Sequence, residues 1–355
     1  MRLGLNLGYW GGGDNAVNLA LAREAERLGY SVVWAAEAYG SDAPTVLAWV
    51  AAQTERIDVG SAVMQIPART PAATAMTAAT LDALSGGRFR LGLGVSGPQV
   101  SEGWHGVRFD RPLARTREYV DVVRLALTRQ RLTYDGDHWR LPLPDGPGKA
   151  LQLTVHPVRP AIPLYLASIG PRNLELTGEI ADGWLGVFFA PEHAAESLDR
   201  LRAGREKAGV TLDGFDIVPT VPVAVGDDPE ACAAPIRAYS ALYLGGMGSR
   251  EQNFYNALAV RMGFGDAART VQDLFLERKH REAAAAVPLE FVDRTALIGP
   301  PERIRDRLHA YAESGVTTLS VAAHAGDLDT RVATLRTVAE ALDAAGLASS
   351  PSSSS

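Results

Sequence analysis

The residues of this chain that could do chemistry stand just after short apolar runs. Glu37 follows residues 31–36, and Gln65, Pro67 and Arg69 follow residues 57–64. Ser96, Gly97, Gln99, Glu102 and His105 come after residues 89–95, Ser168, Gly170, Arg172 and Asn173 after residues 163–167, and His324 after residues 318–322. Tyr9, Trp10 and three glycines follow the first such run, and Tyr39 stands behind Glu37. This mixture of rings, small residues and a few polar groups suits a flat ligand held by stacking and backbone hydrogen bonds. It does not suit a metal ion, because the seven histidines are scattered and none pairs with another at helical spacing beside a carboxylate. There is no nucleophile elbow and no Walker loop, and Gly92-Leu93-Gly94-Val95-Ser96-Gly97 lacks the glycine spacing of a dinucleotide fold.

Residues so far apart in sequence meet only if the runs before them are parallel strands ending on one face. The runs at 3–7, 31–36, 57–64, 89–95, 163–167, 183–188, 216–225 and 318–322 alternate with helical patterns, several opened by proline at the first turn. Eight strand–helix units predict an α/β chain folded as a (β/α)8 TIM barrel, one domain over residues 1–346, with its chemistry at the C-terminal strand ends. Residues 132–160, with the turn-forming Tyr134-Asp135-Gly136-Asp137, are predicted to be an excursion on the barrel rim. Residues 239–295 are long, Ala-rich and helical, and are predicted to be an insertion before the last strand that forms a lid or substrate wall. The serine-rich end, 347–355, reads as a disordered tail.

Composition narrows the partners. With 46% hydrophobic residues the chain can bury a full core, and its net charge of −6 comes with no basic block to follow a phosphate backbone, so nucleic acid is excluded. No window reaches the roughly 18 apolar residues of a membrane span, and the first residues do not read as a signal peptide. The lone Cys232 excludes a disulfide and a thiolate zinc site, and a reducing cytoplasm fits that usage.

Several segments then point to one family. Ser85-Gly86-Gly87-Arg88-Phe89-Arg90-Leu91-Gly92-Leu93-Gly94 resembles the hallmark of luciferase-like proteins, and Val33-Trp34-Ala35-Ala36-Glu37 resembles their second-strand signature. Tyr165-Leu166-Ala167-Ser168-Ile169-Gly170-Pro171, followed by Ala181-Asp182-Gly183-Trp184, is similar to their fifth-to-sixth-strand segment. Within that family, residues 37–42 and 95–99 most resemble the branch of coenzyme F-420-dependent, methylenetetrahydromethanopterin reductase-like oxidoreductases. The resemblance implies hydride transfer between a bound deazaflavin and a small organic substrate.

The resemblance also implies roles. The deazaflavin ring would lie against the third-strand end, at a non-proline cis peptide between Ala62 and Val63, with Glu37 bonding its edge. Glu37 could equally form a structural bridge to Arg69, because a buried carboxylate needs some partner. Ser168, Gly170, Arg172 and Asn173 would hold the phosphate of the cofactor tail at a helix N-terminus, although Gly and Pro there also serve simple turns. Gln65, Gly97 and Gln99 are further ring or tail contacts. Several relatives carry a catalytic histidine where this chain has Ala38, which leaves Tyr39, Glu102, His105 and His324 as substitutes. Water is a further proton source, since the protein mainly has to orient both partners.

The sugar-phosphate-oxidising branch places lysines around its substrate, whereas this chain has Phe188-Phe189-Ala190-Pro191 there. Trp10, Tyr39, Phe188, Phe189, Tyr255 and Met262 therefore predict a pocket for an apolar or aromatic substrate. Two other readings remain open at this point: an FMN-dependent monooxygenase of the same family, and a barrel that binds flavin or deazaflavin without catalysis. Relatives commonly form homodimers through helices on the barrel side, which residues 44–52 and 72–84 would permit.

Overall fold

Eight parallel strands close into a ring in the computed structural model, which describes residues 1–10, 15–323 and 326–348. In order they are Arg2–Asn6, Val32–Ala35, Asp58–Ser61, Phe89–Gly94, Leu164–Ala167, Gly183–Val187, Asp216–Val225 and Thr318–Ala323. Each pairs in parallel with its successor, and the eighth pairs with the first. The predicted (β/α)8 barrel is thus the fold observed. His324, the glycines at 11–13, Asp14 and the serine-rich end from 349 onward lie outside the described residues.

The helices begin where the sequence marks them. Pro71, Pro112 and Pro171 open helices Pro71–Leu84, Pro112–Leu127 and Pro171–Ile180, while Asp42, Thr70 and Asp327 cap theirs through side-chain oxygens. Their apolar faces pack on the outer side of the barrel. Inside, Trp34 fills the middle layer, and this requires glycine opposite it. A Cβ at Gly60 would lie 2.3 Å from the Trp34 ring, and one at Gly4 only 3.1 Å from its Nε1. The N-terminal end of the lumen is closed by charge. Asp216 meets Arg2 at 2.9 Å, Arg90 at 3.2 Å and the Tyr165 hydroxyl at 3.0 Å, and Arg90 also reaches Asp58 at 2.7 Å. Burial opposes the Asp216 charge, but the two guanidinium groups and the Thr317 and Thr318 hydroxyls hold its carboxyl below the usual carboxylate range.

Three boundaries differ from the sequence reading. The third strand is not continuous over residues 57–64. It stops at Ser61, and Met64–Gln65 then pairs separately with the fourth strand. The insertion is longer than predicted, running from helix Pro229–Ala241 to the short strand Leu297–Gly299, which adds to the edge of the seventh strand. Only then does helix Pro301–Glu313 complete the seventh unit. The sequence reading ended the insertion at residue 295 and assigned no helix to this segment. Leu347 is not part of a loose tail, because its carbonyl accepts a 2.7 Å hydrogen bond from the Met1 amine. The predicted excursion does form a small hairpin, Tyr134–Asp135 with Arg140–Leu141. It follows a helix rather than a strand, and therefore sits away from the C-terminal face.

Candidate active site

The C-terminal mouth is shaped by the break after Ser61. There the Ser61 hydroxyl accepts from the Gly92 N–H at 2.9 Å and donates to the Gly92 carbonyl at 2.8 Å, standing in for ladder bonds that the third strand gives up. Gly92 has to be glycine, since a Cβ would fall 1.9 Å from the Ser61 carbonyl oxygen. Residues 62–63 are then free to bulge over the lumen, and the Ala62–Val63 peptide is cis, as the resemblance implied. Ala62, Val63 and Ala167 cap the interior cluster around Trp34, Tyr165, Leu185 and Val218. The result is a floor of small side chains at the centre of the mouth.

One edge of that floor is polar and tightly held. Glu37, buried at 8% exposure, takes the Gln65 N–H at 2.9 Å and the Ala43 N–H at 3.0 Å. Arg69 grips the same carboxylate in fork geometry at 2.5 and 3.1 Å, and also pairs with Asp42. All four acceptor positions of Glu37 are thereby used, so the bridge to Arg69 is the arrangement observed. Gln65, whose backbone Glu37 anchors, extends its amide between two other elements. Its Nε2 donates to Ser96 Oγ at 2.6 Å, and its Oε1 faces His105 Nε2 at 2.9 Å. With the amide set that way, His105 donates from Nε2, and the Ser96 hydroxyl hydrogen points elsewhere. Ser96 sits at φ 60°, a left-handed conformation that turns the chain into the short helix Pro98–Gly103. Gly97 caps that helix, and the Gln99 side chain lies exposed on it.

The opposite edge is the start of helix Pro171–Ile180. Gly170 is its N-cap and has no side chain to satisfy the first turn, and the N–H groups of Gly170 and Arg172 have no partner among the described residues. A Cβ at Gly170 would meet nothing within 4 Å. Asn173 N–H bonds back to the Gly170 carbonyl, and Arg172 is exposed. Ser168 differs from its companions. Its buried hydroxyl takes the Thr177 hydroxyl at 2.9 Å and its carbonyl takes Trp184 Nε1 at 2.9 Å, so it ties the strand end to the helix behind it.

The insertion roofs the mouth from both sides. Arg261, on helix Phe254–Arg261, donates to the Ile169 carbonyl at 3.1 Å, and Tyr243 meets Tyr9 across the first-strand end. Beneath it an open pocket is lined by Ser168, Trp184, Phe188, Phe189, Leu258 and Met262, among others. Of the predicted substrate residues, Phe188, Phe189 and Met262 line this pocket. Tyr255 packs beside it in a group of rings around Phe188. Trp10 does not join them. It is buried edge-to-face on Trp49, 5.5 Å away, beneath the second helix, because helix Ala43–Ala51 offers it an apolar seat. Tyr39 is 61% exposed, carried outward past the end of the second strand. No group of residues among those described could hold a metal ion, and no helix is long and apolar enough to cross a membrane.

Residues 10–318 match the family described as luciferase-like monooxygenase. This chain belongs to the luciferase-like monooxygenase family. A Mycobacterium tuberculosis protein with the provisional description coenzyme F-420-dependent oxidoreductase is 44% identical over 91% of this chain and 95% of its own length. The methylenetetrahydromethanopterin reductase of Archaeoglobus fulgidus is 27% identical over 82% of this chain and 85% of its own. Among solved structures, the F-420-dependent tetrahydromethanopterin reductase of Methanopyrus kandleri superimposes with a TM-score of 0.81 at 22% identity, covering 96% of this chain and 97% of that one. Within this luciferase-like barrel, sequence reasoning placed Ser96 and Tyr9 at strand ends without giving either a role, and it missed Tyr243 as part of the mouth. Tyr243 gave no signal because its position depends on how the insertion folds back.

Proposed function

We propose that this chain is a coenzyme F-420-dependent oxidoreductase that transfers hydride between the deazaflavin and a small, largely apolar organic substrate. The observation that carries this reading is the 44% identity, across nearly the whole chain, to a relative described as F-420-dependent. The residues present fit the cofactor. A flat ring suits the small-residue floor over Ala62 and Val63, the Ser96 hydroxyl supplies a donor at its edge, and the unpaired N–H groups of Gly170 and Arg172 suit an anionic tail. Bound there, the deazaflavin would supply the hydride donor or acceptor. The chain's own residues hold and orient both partners.

Glu37 takes the part of a positioning residue, fixing the Gln65 backbone through its own saturated carboxylate. His105 holds the Gln65 amide in the orientation that directs Ser96, and Ala38 leaves no histidine at the position where relatives have one. The test is equilibrium binding of purified protein to F-420 and to FMN in parallel, followed by quenching of each chromophore's fluorescence. Tight binding of F-420 with weak binding of FMN is the expected result. A preference for FMN would overturn the reading in favour of oxygen-dependent chemistry.

A further inference from the structure

The pocket beneath the insertion is apolar along most of its wall and polar at one end. Phe188, Phe189, Leu258 and Met262 supply the wall, while His193 and Glu196 stand at the other end. His193 is the N-cap of helix Ala194–Lys207 and Glu196 lies in its first turn, three residues on, so the two share the face turned to the pocket. The ring is placed by the short 3-10 turn Pro191–His193, in which the His193 N–H bonds the Ala190 carbonyl at 2.9 Å.

What His193 offers a ligand is decided from behind. Arg294 Nη1 lies 3.1 Å from His193 Nε2. A guanidinium carries only donors, so Nε2 accepts, and the hydrogen of the imidazole stands on Nδ1. Arg294 is itself held in place. It pairs with Glu290 four residues back, its guanidinium lies 5.4 Å over the Phe264 ring, and its carbonyl takes Arg307 Nη2 at 3.0 Å. His193 Nδ1 has no hydrogen-bond partner among the described residues and is open to solvent, although the ring is half-buried. The pocket thus has one N–H donor of fixed position beside an apolar wall.

The charges nearby select the acceptor. Glu196 puts a carboxylate at the same end of the pocket, paired with Arg261 Nε at 2.8 Å, and Arg294 likewise already faces Glu290. A carboxylate or phosphate brought here would meet the like charge of Glu196, whereas an uncharged oxygen would not. We infer that the His193 Nδ1–H binds the uncharged acceptor oxygen of an otherwise apolar substrate in this pocket, with Arg294 as the positioning residue that keeps the hydrogen on Nδ1. The inference rests on the hydride-transfer reading only for calling the ligand a substrate.

The test uses the full-length protein grown with isotope-labelled histidine, and NMR follows the ring nitrogens of its seven histidines as cyclohexanone is added. The His193 signals are those lost in His193→Phe. Wild type should show the Nδ1–H tautomer at His193, and that nitrogen should shift saturably with cyclohexanone and not with cyclohexanecarboxylate. His193→Phe should weaken cyclohexanone binding, read from the carbonyl signal of labelled ketone, by roughly 5- to 10-fold, the value of one neutral hydrogen bond. His193→Gln, which keeps a donor, should retain part of the affinity, and Arg294→Met should mix the two tautomers at His193 and weaken the ketone by a smaller factor. F-420 affinity, measured by quenching on the same preparations, should be unchanged in His193→Phe. A wild-type hydrogen on Nε2, no saturable shift, or a carboxylate that binds as well as the ketone would overturn the inference. So would a loss of F-420 affinity in His193→Phe, which would give this pocket to the cofactor. If F-420 fails to bind wild type while the His193→Phe effect on the ketone persists, the pocket site stands and the cofactor reading falls.

Discussion

Replacing Glu37 with glutamine tests whether its carboxylate anchors the mouth or touches the ligand. The carboxylate accepts from two backbone N–H groups and twice from Arg69. A glutamine amide has one acceptor oxygen, so its NH2 would confront either the Ala43 or the Gln65 N–H and one arm of the Arg69 fork. Removing one partner of a buried pair costs about 3 to 5 kcal/mol, but Arg69 keeps Asp42 and is itself 18% exposed, which places this loss nearer 3 kcal/mol. With an unfolding entropy of about 2.1 cal/mol/K per residue, a chain of this length should lose about 4 °C in melting temperature. Because Gln65 loses its anchor, F-420 affinity should fall by about tenfold in the same protein. Scanning calorimetry and fluorescence quenching read the two effects. If the melting temperature is unchanged while affinity collapses, Glu37 contacts the ligand directly and the anchoring argument is refuted.

Other perturbations separate the floor, the tail site and the barrel base. Gly92→Ala should cost about 3 kcal/mol or more, measured by denaturant unfolding, because the new methyl collides with a backbone oxygen that cannot swing away. Gly170→Asp should raise helix stability by a few tenths of a kcal/mol as a better N-cap, yet weaken F-420 binding by about tenfold at low salt, since the carboxylate takes the N–H groups meant for the tail. Unchanged F-420 affinity in that variant would remove the tail from this helix. Asp216 has a folded-state pKa below its unfolded value, so its stabilisation is present above about pH 4 and is lost as pH falls through the folded value. Wild-type melting temperature should therefore drop in that acid range, and Asp216→Asn, less stable at neutral pH, should show a shallower drop.

The barrel was legible because its signal is repeated. Most strands carry Val, Leu or Ile buried on both sides, and most barrel helices have a first-turn proline or a capping side chain, so single ambiguities do not change the count. The positions of Gln65, Ser168 and Gly170 at the mouth follow from that count alone. What the sequence could not show was which side chains consume one another. Glu37 and Arg69 are 32 residues apart, and their fork forms only because the second and third strands are neighbours. Trp10 looked like a pocket residue from its place after the first strand, but one residue of backbone direction sends it under a helix to Trp49. Tyr243 depends on an irregular turn between helices, whose course no periodicity in the chain describes.

The account is tested most directly by a crystal structure of the protein loaded with oxidised F-420. It predicts the deazaflavin ring over Ala62 and Val63 with an edge on Ser96, the tail phosphate on the Gly170 and Arg172 N–H groups, and Glu37 still gripped by Arg69. A ring bound elsewhere, or a tail that leaves the start of helix Pro171–Ile180 empty, would contradict it.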